Sequence, residues 1–142
     1  NKEVLSHYDI MTVGEMPDSS PKDAIKYTGL DSNELNMVFQ FQHVSLSPNP
    51  DQRLGKWNNV PVKLTELKKA LNRWQKELDG KGWNSLYWNN HDQPRAVSRF
   101  GNDDDEYRII SAKMLGTTLH LMQGTPYIYE GEEIGMTNAH YT

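Results

Sequence analysis

Ser85-Leu86-Tyr87-Trp88-Asn89-Asn90-His91-Asp92-Gln93-Pro94-Arg95 is the stretch that decides how this chain reads. Its first half is an apolar and aromatic run with the character of a buried strand. It ends abruptly in Asn, His, Asp and Arg around a proline that stops strand pairing. Polar and ionisable side chains at the end of a buried strand are costly unless they are satisfied or used. A second stretch repeats the pattern upstream, where Ile10-Met11-Thr12-Val13-Gly14 runs into Glu15-Met16-Pro17. Two strands that each deliver a carboxyl group at their exit point to carboxylate chemistry on the rim of a parallel sheet.

Outward from these two stretches, the pattern predicts strands at Ile10–Gly14, Met37–Phe41, Ser85–Asn89 and Pro126–Tyr129, with helices rather than hairpins between them. Ser20 is suited to an N-cap and Pro21 to the first helical position of a helix beginning there. Leu64, Leu67, Leu71, Trp74 and Leu78 share one face of a helix over Leu64–Leu78, which Gly80 stops. Another helix is expected from about Tyr107 to Met122, with Ile110, Met114 and Leu121 available for packing. Asn1–Leu5 reads as the last turns of a helix already under way, and neither end of the chain reads as a natural terminus. Alternation of helix and strand predicts parallel strands with right-handed crossovers. The loop from Gln42 to Pro61, with an exposed Trp57, is long enough to suggest a substrate-shaping role.

Composition narrows the class. A net charge of −4 with interspersed signs argues against nucleic acid or an anionic membrane as partner. No apolar run approaches the ~18 residues of a membrane span, and no signal peptide opens the chain. The expected location is the cytoplasm. With no cysteine, disulfides and thiolate metal sites are excluded. The 36% of apolar residues is low for a self-sufficient globule, so a core completed by further residues is expected.

Each candidate site has a plain alternative. Glu15 alone is a Gly-Glu pair of no significance, and Arg95 could simply pair with Asp92. What separates these residues from ordinary loop polar groups is their place at the exits of parallel strands, where sheet-rim sites are built. The acidic groups Glu130, Glu132, Glu133 and Asp103-Asp104-Asp105 fit a solvated surface or helix caps; a metal site needs converging oxygen ligands. No metal and no cofactor is expected. His43 and His120 lack a ligand-spaced partner and read as structural.

Three motifs, taken together, carry a resemblance: Met11-Thr12-Val13-Gly14-Glu15-Met16, Asn90-His91-Asp92-Gln93-Pro94-Arg95 followed by Ser98-Arg99-Phe100-Gly101, and Gln123-Gly124-Thr125-Pro126-Tyr127-Ile128-Tyr129. In this order they resemble the α-amylase-type glycoside hydrolases, in the oligo-1,6-glucosidase and α-glucosidase branch, with trehalose-6-phosphate hydrolases as near relatives. The resemblance implies an α/β fold, the C-terminal half of a (β/α)8 TIM barrel. Residues 1–142 would be a partial catalytic domain holding about four parallel strands, the fifth to the eighth, with their helices. It implies that Glu15 is the general acid/base and Asp92 the carboxylate that stabilises the transition state. His91 and Arg95 are assigned to substrate binding.

The family's nucleophilic Asp lies in an Arg-x-Asp context on the fourth strand, and no such triplet occurs in these 142 residues. The isolated chain is therefore expected to be inactive, and its open half-barrel to self-associate. The activity implied is that of a retaining, exo-acting α-glucosidase on α-1,6 or α-1,4 bonds of short oligosaccharides. Glu130 stands where relatives often carry Gln, which bears on the preference for the departing sugar. Two rivals remain: a trehalose-6-phosphate hydrolase, which needs a cationic pocket for phosphate, and a non-catalytic, barrel-like binding subunit.

Overall fold

The structure, a computed structural model, describes residues 2–55 and 60–139. Trp57 and Asn1 lie outside the described residues. The elements run β1 (Val13–Met16), α1 (Pro21–Thr28), β2 (Met37–Gln40), α2 (Leu64–Leu78), β3 (Ser85–Leu86), α3 (Ala96–Phe100), α4 (Arg108–His120) and β4 (Thr125–Pro126), with single 3-10 turns at Leu5–His7, Gln52–Leu54 and Glu132–Ile134. Leu5–His7 is thus one tight turn, and not the end of the helix expected at the start of the chain.

The strands form two short parallel pairs instead of one continuous four-stranded arc. In the first, Val13 faces Met37 and Glu15 faces Phe39; in the second, Ser85 faces Thr125 and Leu86 faces Pro126. Strand β1 starts three residues later than the pattern suggested. Asn36 explains part of this: its Oδ1 accepts from the Thr12 backbone N–H at 2.7 Å and from the Thr12 hydroxyl at 2.9 Å, closing the entrance to the ladder. Strands β3 and β4 pair over two residues each, and Pro126 is tolerated because its missing N–H falls on the side away from β3. The ladder steps over it, from Thr125 N–H to Asn84 C=O at 2.9 Å and from Tyr127 N–H to Leu86 C=O at 2.7 Å.

Side chains join the two pairs. The Ser85 hydroxyl donates to the Val38 carbonyl at 2.5 Å and the Tyr87 hydroxyl to the Gln40 carbonyl at 2.7 Å. Both strands advance by two residues between these contacts, so β3 runs in the same direction as β2.

Helices cover one face of the strands. Ala24, Val38, Trp74 and Leu78 form one buried cluster between α1, β2 and α2. Leu67, Leu86, Trp88, Ala96, Val97, Leu115 and Leu119 form the other, under α3 and α4. Helix α2 buries Leu67, Ala70, Trp74 and Leu78, but Leu64 is 67% exposed, because the apolar stripe reaches the core only from the second turn. On α4 the inward residues are Leu115 and Leu119, while Ile110, Met114 and Leu121 stay exposed, contrary to the sequence expectation. That helix is apolar around its circumference, so periodicity could not choose its inward face.

Helix α1 begins with the Ser20 cap its sequence suggested, and the structure adds a reciprocal bond to Asp23. The Ser20 hydroxyl accepts from the Asp23 N–H at 3.3 Å, and the Asp23 carboxylate accepts from the Ser20 N–H at 3.3 Å. Ser20→Ala removes the cap and is expected to destabilise the fold by about 1 kcal/mol, with Ser20→Gly costing only a few tenths. Urea unfolding of the two variants side by side measures the difference.

Candidate active site

Opposite the helices lies a second face of the strands. Val13 and Glu15, both exposed, alternate on it with the inward-turned Gly14 and Met16. Phe39, the register partner of Glu15, meets Tyr87 edge-on at 5.2 Å and Tyr127 at 4.6 Å between ring centroids. Tyr127 and Met37 also touch, with the hydroxyl 3.6 Å from the Met37 sulfur. Glu15 therefore stands beside an aromatic floor assembled from β2, β3 and β4. The Tyr87 phenol is held well above its ordinary range, first by burial and second by the negative charge of Glu15.

Asp92 follows β3 at the same, C-terminal, end of the strands. A tight turn shapes its loop: the Asp92 N–H donates to Asn90 Oδ1 at 2.9 Å and the Gln93 N–H to the Asn90 carbonyl at 3.1 Å. His91 Nε2 lies 3.5 Å from Asp92 Oδ2, with the two side chains 74% and 55% exposed. The structure thus places Glu15, His91 and Asp92 on one rim, open to solvent.

Arg95 is placed differently from its neighbours. Its guanidinium lies over the Tyr129 ring, 5.3 Å from the centroid, and donates to the Glu130 carbonyl. Its backbone N–H donates to Asn138 Oδ1 at 2.8 Å. Nothing in the local sequence announces these contacts, since the partners lie 35 and 43 positions away. Arg99 anchors the base of the long loop, donating to the carbonyls of Val60 at 2.7 Å, Leu46 at 2.6 Å and Ser47 at 3.2 Å.

The remaining candidates are structural or dispersed. His43 is fully buried, and its Nδ1 lies 2.8 Å from Gln40 Nε2, which can only donate; the Nε2–H tautomer follows. Burial pushes its pKa down to about 4, with a backbone contact to Tyr87 opposing. The folded state therefore binds fewer protons than the unfolded one. The contribution of His43 to stability is full above pH about 6.5 and is lost as pH falls towards 4. Its ring resonances in the NMR spectrum are expected to stay at the neutral position from pH about 7 down to about 5, where an ordinary histidine titrates. His120 is exposed, with Nδ1 against the Gly116 carbonyl at 2.8 Å. Burial raises the Glu132 carboxyl to about 7. Among the described residues no group of three His, Asp or Glu side chains is arranged to hold a metal, and no helix is long and apolar enough to cross a membrane.

The alpha-amylase catalytic-domain family model matches residues 1–142. The oligo-1,6-glucosidase of Parageobacillus thermoglucosidasius is 65% identical over 99% of the chain and 24% of its own length. The alpha-glucosidase of Pediococcus pentosaceus is 61% identical over 100% of the chain and 25% of its own length. Among solved structures, the trehalose-6-phosphate hydrolase of Bacillus licheniformis superposes with a TM-score of 0.86 at 53% identity, covering 96% of this chain and 24% of that one. The chain spans about a quarter of the length of the curated relatives it matches.

Proposed function

Because the chain belongs to the alpha-amylase catalytic-domain family, we propose that it forms the fifth-to-eighth-strand half of the (β/α)8 barrel in a retaining α-glucosidase. Such an enzyme removes glucose from short α-1,6- or α-1,4-linked oligosaccharides. The observation that carries this reading is the pair of exposed carboxylates, Glu15 near the C-terminal end of β1 and Asp92 in the turn that follows β3, on strands that run the same way.

In the mechanism Glu15 protonates the glycosidic oxygen as the bond breaks, then takes a proton from water as the covalent intermediate is hydrolysed. A retaining enzyme needs its nucleophile about 5–5.5 Å from the acid/base, close to the roughly 4.7–4.9 Å between adjacent strands. The neighbouring strand before β1 is where we place that Asp. Asp92 holds ring hydroxyls as the sugar flattens towards the oxocarbenium ion, a contact that strengthens in the transition state. His91 binds a hydroxyl on the same rim, and Arg95 stands on the substrate-binding side next to it. Without a nucleophile the 142-residue chain alone turns over nothing, and its uncovered strand face favours self-association. The location proposed is the cytoplasm.

Substrate preference tests the reading. The intact protein is expected to favour an isomaltose-type disaccharide over trehalose 6-phosphate by at least about tenfold in kcat/KM, a difference of about 1.4 kcal/mol. Glucose release from each sugar measures it. Preference for the phosphorylated sugar would move the chain to the trehalose-6-phosphate hydrolases, and failure on every α-glucoside would leave the binding subunit.

A further inference from the structure

Two rim segments meet at Arg95. One is the turn of His91 and Asp92, fixed at its start by Asn90 and at its end by Arg95, the residue from which α3 departs. The other is the segment after β4, residues 127–138, which folds back on itself: the Glu132 N–H donates to the Tyr129 carbonyl at 2.8 Å and the Met136 N–H to the Gly131 carbonyl at 2.9 Å. Gly131 makes this fold possible. Its φ is +87°, and a Cβ there would sit 2.2 Å from the Met136 sulfur and 3.1 Å from an Arg95 guanidinium nitrogen.

The contacts between the segments form a closed set. The Arg95 guanidinium covers Tyr129 and bonds the Glu130 carbonyl, its backbone N–H bonds Asn138 Oδ1, and the Asn138 N–H returns a 2.9 Å bond to the Ser98 hydroxyl one turn into α3. The guanidinium has one face on an aromatic ring and an edge on a carbonyl. Arginine is suited to this because its planar fork stacks and donates at once, whereas an ammonium does neither in fixed geometry.

We infer that Arg95 is a positioning residue: with Tyr129 and Asn138 it braces the turn that carries His91 and Asp92 against the segment after β4, instead of serving as a ligand of the sugar. The inference rests on the proposed roles of Asp92 and His91. It changes what substitution at Arg95 does. A sugar ligand that holds the ground state and the transition state equally acts through binding, so its loss raises KM. A brace acts through the placement of Asp92, whose contacts matter most in the transition state, so its loss lowers kcat; misplacement of about 1 Å can cost on the order of a hundredfold.

The test uses the intact protein and an aryl α-glucoside, with Arg95→Met, Tyr129→Leu, Asp92→Asn and the double variants. Tyr129→Leu weakens the brace without touching Arg95, and so serves if Arg95→Met fails to fold. Both brace variants are expected to lower kcat by about 10–100-fold with KM within about threefold, and to cost little more once Asp92 is already Asn. Arg95→Lys is expected to rescue only partly. A loss carried mainly by KM, or losses that multiply fully with that of Asp92→Asn, would overturn the brace. A wild-type protein that does not hydrolyse the aryl glucoside would instead overturn the α-glucosidase reading.

Discussion

Replacing Glu15 by Gln in the intact protein is expected to lower oligosaccharide cleavage by about 10²–10⁴-fold, the range general acid catalysis supplies. The same change should spare the first step on a dinitrophenyl glucoside. A sugar alkoxide is a poor leaving group and needs a proton as it departs; dinitrophenolate does not. The variant should therefore release a burst of phenol equal to the enzyme present and then stall, because hydrolysis of the covalent intermediate still needs a base. Asp92→Asn should behave otherwise. Its charge acts on the ring whatever departs, so both substrates should slow together, by roughly 10²–10³-fold for one charge-assisted contact of this kind. Rapid-quench measurement of both variants separates the roles. If Asp92→Asn proved sensitive to the leaving group and Glu15→Gln did not, the two assignments would be reversed.

The largest expected effect on stability lies at Trp88. Its side chain is 1% exposed within the cluster of Leu86, Val97, Leu115 and Leu119, and its indole N–H donates to the Leu115 carbonyl at 2.8 Å. Trp88→Ala leaves a large cavity and removes the donor for a carbonyl in the middle of α4, so a cost of about 3–5 kcal/mol is expected. That is a large part of the roughly 5–15 kcal/mol by which a domain is stable. Leu64→Ala, on the exposed first turn of α2, is expected to stay within about 0.5 kcal/mol of wild type. Denaturant midpoints of the two variants, read alongside the wild type, give the comparison. Equal losses would mean that the core is not organised around Trp88.

Local pattern carried the sequence reading far for some elements and failed for others, for physical reasons. The cap at Ser20 and the helix Leu64–Leu78 are written in short-range preferences, so they were legible. The ends of the strands were less so. Where β1 begins depends on Asn36 closing over Thr12, a contact set across strands. The inward face of α4 could not be read because every face of that helix carries apolar side chains. At the site, Glu15, His91 and Asp92 could be picked out as polar residues at strand exits. The aromatic floor of Phe39, Tyr87 and Tyr127 could not, because three strands must meet before it exists. For the same reason the contacts of Arg95 with Tyr129, Glu130 and Asn138 could not be read from its neighbours in sequence.

The proposal that Glu15 and Asp92 act on one sugar from one rim is tested most directly by a crystal structure. The intact Glu15→Gln protein would be soaked with an isomaltose-type oligosaccharide that it binds but cannot cleave. The expected result is a glucosyl ring on the rim beside Phe39 and Tyr127, with the side chain at position 15 within about 2.6–3.2 Å of the glycosidic oxygen and Asp92 on the ring hydroxyls. A sugar bound away from this rim, or a side chain at position 15 turned towards α1 and α2, would contradict it.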